Sequence, residues 1–207
     1  MDNKVFKKWN KLFGYGLFFI ALLTFGITVE PTASFWDCAE YIATSAKLQV
    51  GHPPGAPLFQ MMGAFFSIFA SSPDQIALMV NFMSVISSAT TVLFLFWTIT
   101  LLLKKIYNIK SFDNSIKRIS FFGSASIGTL AFCFSDSFWF NAVEAEVYAM
   151  ATCLMSIMFW LSLKWESEMN TPRGDRWLVL ISFLVGLSFG VHFMALLTIP
   201  AMGMLYY

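Results

Sequence analysis

Charge is what this sequence has least of. Asp, Glu, Lys and Arg make up 12% of the chain, whereas 57% of it is hydrophobic and 24 residues are Phe. A soluble domain carries about 25% charged residues, so this chain cannot cover a water-facing surface. That excludes a soluble globular domain and leaves an integral membrane protein. The net charge of +1 gives no electrostatic footprint for nucleic acid. Cysteine is scarce too. Cys38, Cys133 and Cys153 are odd in number and lack metal-ligand spacing, so they imply neither a disulfide framework nor a zinc site. No internal repeat and no low-complexity linker breaks the chain.

What the sequence does have is long apolar runs. A spanning helix needs about 20 mostly apolar residues. The uncharged runs, among them 147–163, predict spans at about 12–29, 77–103, 119–135, 143–163 and 177–193, with an incomplete one at 194–207. Lys4, Lys7, Lys8 and Lys11 precede the first run. It is longer than a signal peptide's apolar region, so it is expected to be a retained helix. The chain ends "LTIPAMGMLYY" inside an apolar run, which suggests the N-terminal part of a longer protein. The expected fold is all-α, a polytopic membrane helix bundle.

Orientation follows from the basic residues, which gather in short cytoplasmic segments. If 56–73 does not span, segments 1–11, 104–118 and 164–176 fall on one side and hold twelve of the thirteen Lys and Arg. Only Lys47 lies opposite. This arrangement predicts a cytoplasmic N-terminus and an outer loop at 30–76. Residues 35–48 and 56–71 of that loop read as helices along the membrane surface.

The acids then collect outside. Asp37 and Glu40 are spaced i, i+3, which on a helix puts them on one face. Such a pair suits a general base with its helper, or a divalent cation; it suits equally a helix start, with Ser34 or Asp37 as N-cap. The stretch His52-Pro53-Pro54-Gly55 reads as rigid and extended, an elbow that fixes where His52 points, or simply as a break between two helices. Glu144 and Glu146 open another span. At i and i+2 on a helix they face nearly opposite sides, so one of them, Glu146 by its nearness to the apolar run, is expected at a shared site. The alternative is that both sit in the first turn against the helix dipole. His192, expected near the outer end of its helix, would contact a ligand phosphate or a neighbouring helix. Tyr148 reads first as a belt aromatic.

The stretch "FWDCAEYIATSAKLQVGHPPGAPLF", together with Glu-x-Glu-Val-Tyr at 144–148 and "GLSFGVH", resembles the domain-of-unknown-function 2723 family. That family is known from Bacteroidetes, and its eukaryotic relative is a protein O-mannosyltransferase. The architecture is similar to the GT-C class of membrane glycosyltransferases, in which the first outer loop carries interfacial helices and the catalytic acid. The resemblance implies a multi-pass protein of a bacterial inner membrane with a periplasmic active face. It implies transfer of a sugar, mannose or similar, from a polyprenyl-phosphate donor to a Ser or Thr hydroxyl of an exported protein. Asp37 would be the base, with Glu40 next. His52, Pro53, Pro54, Glu144, Glu146, Tyr148 and His192 would face the substrates. A cation must meet the leaving phosphate; His52, His192 and a divalent metal are the candidates. Two other readings stand beside this one: a transporter or ion relay, and a non-catalytic envelope scaffold.

Overall fold

The computed structural model describes residues 2–109, 111–112 and 114–206. Lys110, one of the basic residues counted above, lies outside the described residues, as does Tyr207 at the end of the last expected span. Among the described residues the fold is helical throughout: α1 (Asp2–Ile27), α2 (Cys38–Lys47), α3 (Pro57–Ser67), α4 (Ile76–Ile106), α5 (Ser115–Cys133), α6 (Asp136–Ala142), α7 (Val147–Glu168), α8 (Gly174–Ser188) and α9 (Thr198–Tyr206). Short 3-10 turns at Pro73–Gln75 and Phe193–Leu197 precede α4 and α9. The all-α membrane bundle expected from composition is what forms.

Among the described residues, three helices are long and apolar enough to cross a membrane: Lys4–Ile27, Pro73–Ile106 and Val147–Glu168. Helices α5 and α6 make a fourth if they are taken as one span bent by 69°. Helix α8 has only 15 residues and falls short of the usual spanning length. It stops at Ser188 instead of continuing to 193. Helix α7 starts at Val147, four residues later than expected. Both differences matter at the site.

Helix α4 is the axis of the bundle and packs against α1, α3, α5 and α7. In lipid, helices associate through close packing and hydrogen bonds, not through exclusion of water. One α4 face buries Ser84, Ser88 and Thr91, and α7 buries Ala149, Ala151 and Cys153. Small side chains let the two backbones approach. Along α1, the Asn10 carbonyl accepts the Trp97 indole N–H at 3.2 Å and its side chain accepts the Thr100 hydroxyl at 2.8 Å. Phe6, Phe25, Phe96 and Phe122 fill the core between α1, α4 and α5.

The charges sort to opposite ends. Lys104 lies over the Phe6 ring, Arg118 over Trp9, and Lys105 pairs with Glu166. Segments 1–11, 104–118 and 164–176 therefore meet at one end. A second core cluster closes the other end. It joins α2 and α3 to the first turns of α4 and α7, through Cys38, Tyr41, Phe59, Val80, Ala145, Val147 and Val191.

The α2–α3 pair depends on one contact without slack. A Cβ at Gly63 would sit 2.5 Å from Ser45 Oγ and 2.8 Å from Ser45 Cβ. Gly63→Ala should force the helices apart and cost about 1–3 kcal/mol. Thermal unfolding checks this: a midpoint several degrees lower is expected, and an unchanged midpoint would show that the contact is not tight.

Candidate functional site

The site begins with a loop. After α1 the chain runs through residues 28–37 over the end of the bundle. Trp36 takes a left-handed backbone (φ 60°), unusual for a bulky residue. Asp37 follows at the N-cap position of α2, yet its carboxylate makes no capping hydrogen bond. Asp37 thus occupies the N-cap position without a capping bond, and its side chain is more than half exposed.

Glu40 is engaged differently. One carboxylate oxygen accepts the backbone N–H of His52 at 2.6 Å, and the other faces His52 Nδ1 at 3.1 Å. These contacts, the backbone N–H first and then the ring, hold the Glu40 carboxyl below its ordinary 4.5. The other ring nitrogen, Nε2, lies 3.8 Å from Asp37 Oδ2. His52 thus stands between two carboxylates whose i, i+3 spacing turned them to the same side. Tyr41 flanks the imidazole at 5.6 Å between ring centroids and rests edge-on against Phe59. Burial, then the charges of Glu146, Asp37 and Glu40, push its hydroxyl up to about 12.

The elbow after His52 is not extended. The Gly55 N–H donates to the His52 carbonyl at 2.8 Å, and positive φ at Gly55 (89°) and Ala56 (37°) turns the chain back into α3. A run of Pro-Pro-Gly closes a turn here because glycine supplies the left-handed backbone that follows the prolines. Pro53 and Pro54 thus shape the turn that presents His52. Gly51 ahead of it is closely surrounded: a Cβ would meet Gln60 Nε2 at 2.7 Å and Glu40 Oε1 at 3.2 Å, so the Gln60 amide would have to move aside.

The second acidic stretch corrects an expectation. Because α7 begins only at Val147, Glu144 and Glu146 are not on a helix. Glu146 itself is extended (φ −115°, ψ 145°), and its N–H closes a tight bend on the Glu144 carbonyl at 2.9 Å, so the helical rule that i and i+2 face opposite sides does not apply. Both acids are buried, at 2% and 6% exposure, and both turn toward the loop. The Ser34 side chain lies near the Glu144 carboxyl, and the backbone N–H groups of Asp37 and Val147 lie near the Glu146 carboxyl. Burial raises the Glu144 carboxyl, and burial with the charges of Glu144 and Asp37 pushes Glu146 up to about 7.

His192 lies outside α8, in extended backbone, and its Nδ1 accepts the Met194 N–H at 3.1 Å, so it caps the 3-10 turn. Its ring meets Tyr148 at 5.2 Å. Among the described residues no hydrogen bond joins it to Asp37, Glu40 or His52. The link is indirect: the Gly190 carbonyl accepts the Leu58 N–H at 2.7 Å and so ties this segment to the start of α3. Asn81 went unnoticed in the sequence. It is fully buried on α4; its amide donates to the Glu30 carbonyl at 2.6 Å and the Thr32 carbonyl at 2.9 Å, and its oxygen faces Cys38 Sγ at 3.8 Å. A lone Asn inside the uncharged run 77–103 was the available signal.

One carboxylate oxygen each from Asp37 and Glu40 and one nitrogen of His52 lie within 4.8 Å of one another, a spacing that a divalent ion could bridge. The same three groups can instead share a proton, with the imidazolium serving as the cation.

With this geometry in place, comparison with known proteins has a clear outcome. The family model described as Protein O-mannosyl-transferase TMEM260 N-terminal domain matches residues 37–207. The chain belongs to this family. The match starts at Asp37, so Asp37, Glu40, His52, Glu144, Glu146 and His192 all fall within the TMEM260 N-terminal domain. The Protein O-mannosyl-transferase tmem260 of Dictyostelium discoideum is 24% identical over 162 residues, which is 78% of this chain and 18% of that protein. The Protein O-mannosyl-transferase TMEM260 of Mus musculus is 26% identical over 167 residues, 79% of this chain and 21% of that protein. The chain thus spans about a fifth of the length of these relatives. No solved structure matches.

Glu146 also sets a pH dependence. Its folded value is raised from an ordinary 4.5 to about 7, so the neutral form favours folding. That contribution is complete below pH 4.5, falls as pH rises from 4.5 to about 7, and is gone above. Glu146→Gln should therefore gain thermal stability over the wild type at pH 8 and not at pH 4. Equal differences at both pH values would show that Glu146 is not held neutral.

Proposed function

We propose that this chain is the catalytic membrane part of a glycosyltransferase of the GT-C type. It would move mannose, or a similar sugar, from a polyprenyl-phosphate donor to a Ser or Thr hydroxyl of an exported protein. The observation that carries the reading is the Asp37–Glu40–His52 cluster at one end of the bundle, inside a domain whose named relatives are protein O-mannosyltransferases. The end with the cluster would face the periplasm of a bacterial inner membrane, and the lysine-rich end the cytoplasm.

The chemistry asks for two things. An alcohol is a poor nucleophile until a base within hydrogen-bond reach takes its proton. Asp37 is the free carboxylate and fills that role. The acceptor oxygen then bonds to the sugar C1, the bond from C1 to the phosphate oxygen breaks, and polyprenyl phosphate leaves. One displacement inverts C1. The second requirement is positive charge where the phosphate departs. Among the described residues of this end, His52 is the nearest group able to supply it, held by Glu40 and facing Asp37. Glu40 is then the holder of His52 more than a second base. A position at the end of the bundle also fits transfer better than ion transport, whose sites lie near the bilayer midplane.

Turnover of purified full-length protein with polyprenyl-phosphate mannose and a Ser/Thr peptide tests this. Asp37→Asn should lower kcat roughly 10²- to 10⁴-fold, with the protein still accumulating in membranes; full activity in that variant would remove Asp37 as base. With His52 as the cation, turnover should survive a chelator. Loss on chelation that manganese or magnesium restores would replace His52 by a metal.

A further inference from the structure

The loop that delivers Asp37 makes few bonds of its own, and the residues that hold it belong to two spanning helices. From α4, Asn81 takes the carbonyls of Glu30 and Thr32. From the segment before α7, the Val143 carbonyl accepts the Glu30 N–H at 2.9 Å. The next residues continue the grip. The Ser34 side chain lies near the Glu144 carboxyl, the Ala145 backbone N–H near the Cys38 thiol, and the Asp37 N–H near the Glu146 carboxyl. The Glu146 N–H closes on the Glu144 carbonyl at 2.9 Å, and this bend sets both carboxylates against the loop. Ala145 is fully buried beneath Cys38.

We propose that Glu146 is a positioning residue for Asp37, and that with Asn81 and Glu144 it forms a clamp that fixes the base instead of touching substrate. The burial of both carboxylates supports this, since neither offers a surface to a sugar or a peptide. So does the backbone at Trp36: a left-handed bulky residue persists only where the surroundings over-determine it, and the Trp36 side chain is 87% exposed, which points to the residues on either side, Ser34 and Asp37, as the source of the constraint. An ionised or neutral carboxyl and an amide all accept an N–H. The clamp thus needs an acceptor at position 146, not a charge.

The inference rests on Asp37 as base for its kinetic arm, so its test has two arms on intact full-length protein in lipid nanodiscs. The first is hydrogen exchange, which needs no substrate. In the wild type the Asp37 amide should exchange slowly, unlike the exposed Phe35 and Trp36 beside it. Glu146→Leu, which removes the acceptor and keeps the volume, should speed Asp37 at least roughly tenfold, with α4 unchanged; Glu146→Gln should keep it slow. The second is kinetic: Glu146→Leu lowers kcat with KM little changed, and Glu146→Gln recovers it. A fast Asp37 amide in the wild type overturns the clamp without any variant. So does unchanged exchange in Glu146→Leu, or a change in KM alone. If no variant and not even the wild type transfers sugar while the exchange pattern holds, the clamp stands and the transferase reading fails.

Discussion

The double hold of Glu40 on His52 is the interaction on which the outer architecture turns. One carboxylate fixes both the backbone and the ring of a residue twelve positions later. That closes α2 onto the turn before α3 and brings Glu40 Oε1 within 3.2 Å of where a Gly51 Cβ would sit. It also places the imidazole against Asp37. Without it, α2 and α3 would still pack through contacts such as Tyr41–Phe59 and Ser45–Gly63, but the turn that carries His52 would lose its tie to α2 and to Asp37. A chain so poor in charge spends three of its few titratable groups at one point, and none of them is needed to cross a membrane.

The rest of the bundle serves that point through two anchors of different kinds. Packing of small residues along α4 and α7 brings the two helix starts together. Polar groups at those starts, Asn81 and the Glu144–Glu146 stretch, then reach up to the loop. Bonds of this sort are costly to leave unmade in a low-dielectric setting, so the loop geometry is coupled to the helix packing. The ring of His192 on Tyr148, with Gly190 on the first turn of α3, closes the same end from the side of α8.

Much of this was legible in the sequence, for physical reasons. Apolar runs and scarce charge announce a helix bundle whatever the packing, and the sorting of lysines separates its ends. The i, i+3 spacing of Asp37 and Glu40 and the turn residues around His52 announce a cluster. Helix ends were harder to read, and they misled at two places. A late start to α7 turned Glu144 and Glu146 from opposite sides to the same side. An early end to α8 took His192 off the helix and made it a cap. Glu144 and Glu146 do break the apolar run just before Val147, but two acids can equally sit in a first helical turn; past Ser188 the small and apolar residues Phe189, Gly190 and Val191 continue the run up to His192 and carry no clear stop signal. Asn81 was overlooked because a single polar residue in a long run says nothing about which way it points until its partners are placed.

The central claim is that sugar transfer happens at the Asp37–Glu40–His52 end. A polyprenyl-phosphate mannose analogue carrying a photoreactive diazirine on the sugar tests this in native membranes, with the adduct mapped by peptide mass. The account predicts labelling within residues 35–55, suppressed by excess unmodified donor. Labelling confined to the lysine-rich end, around residues 104–124, would contradict it.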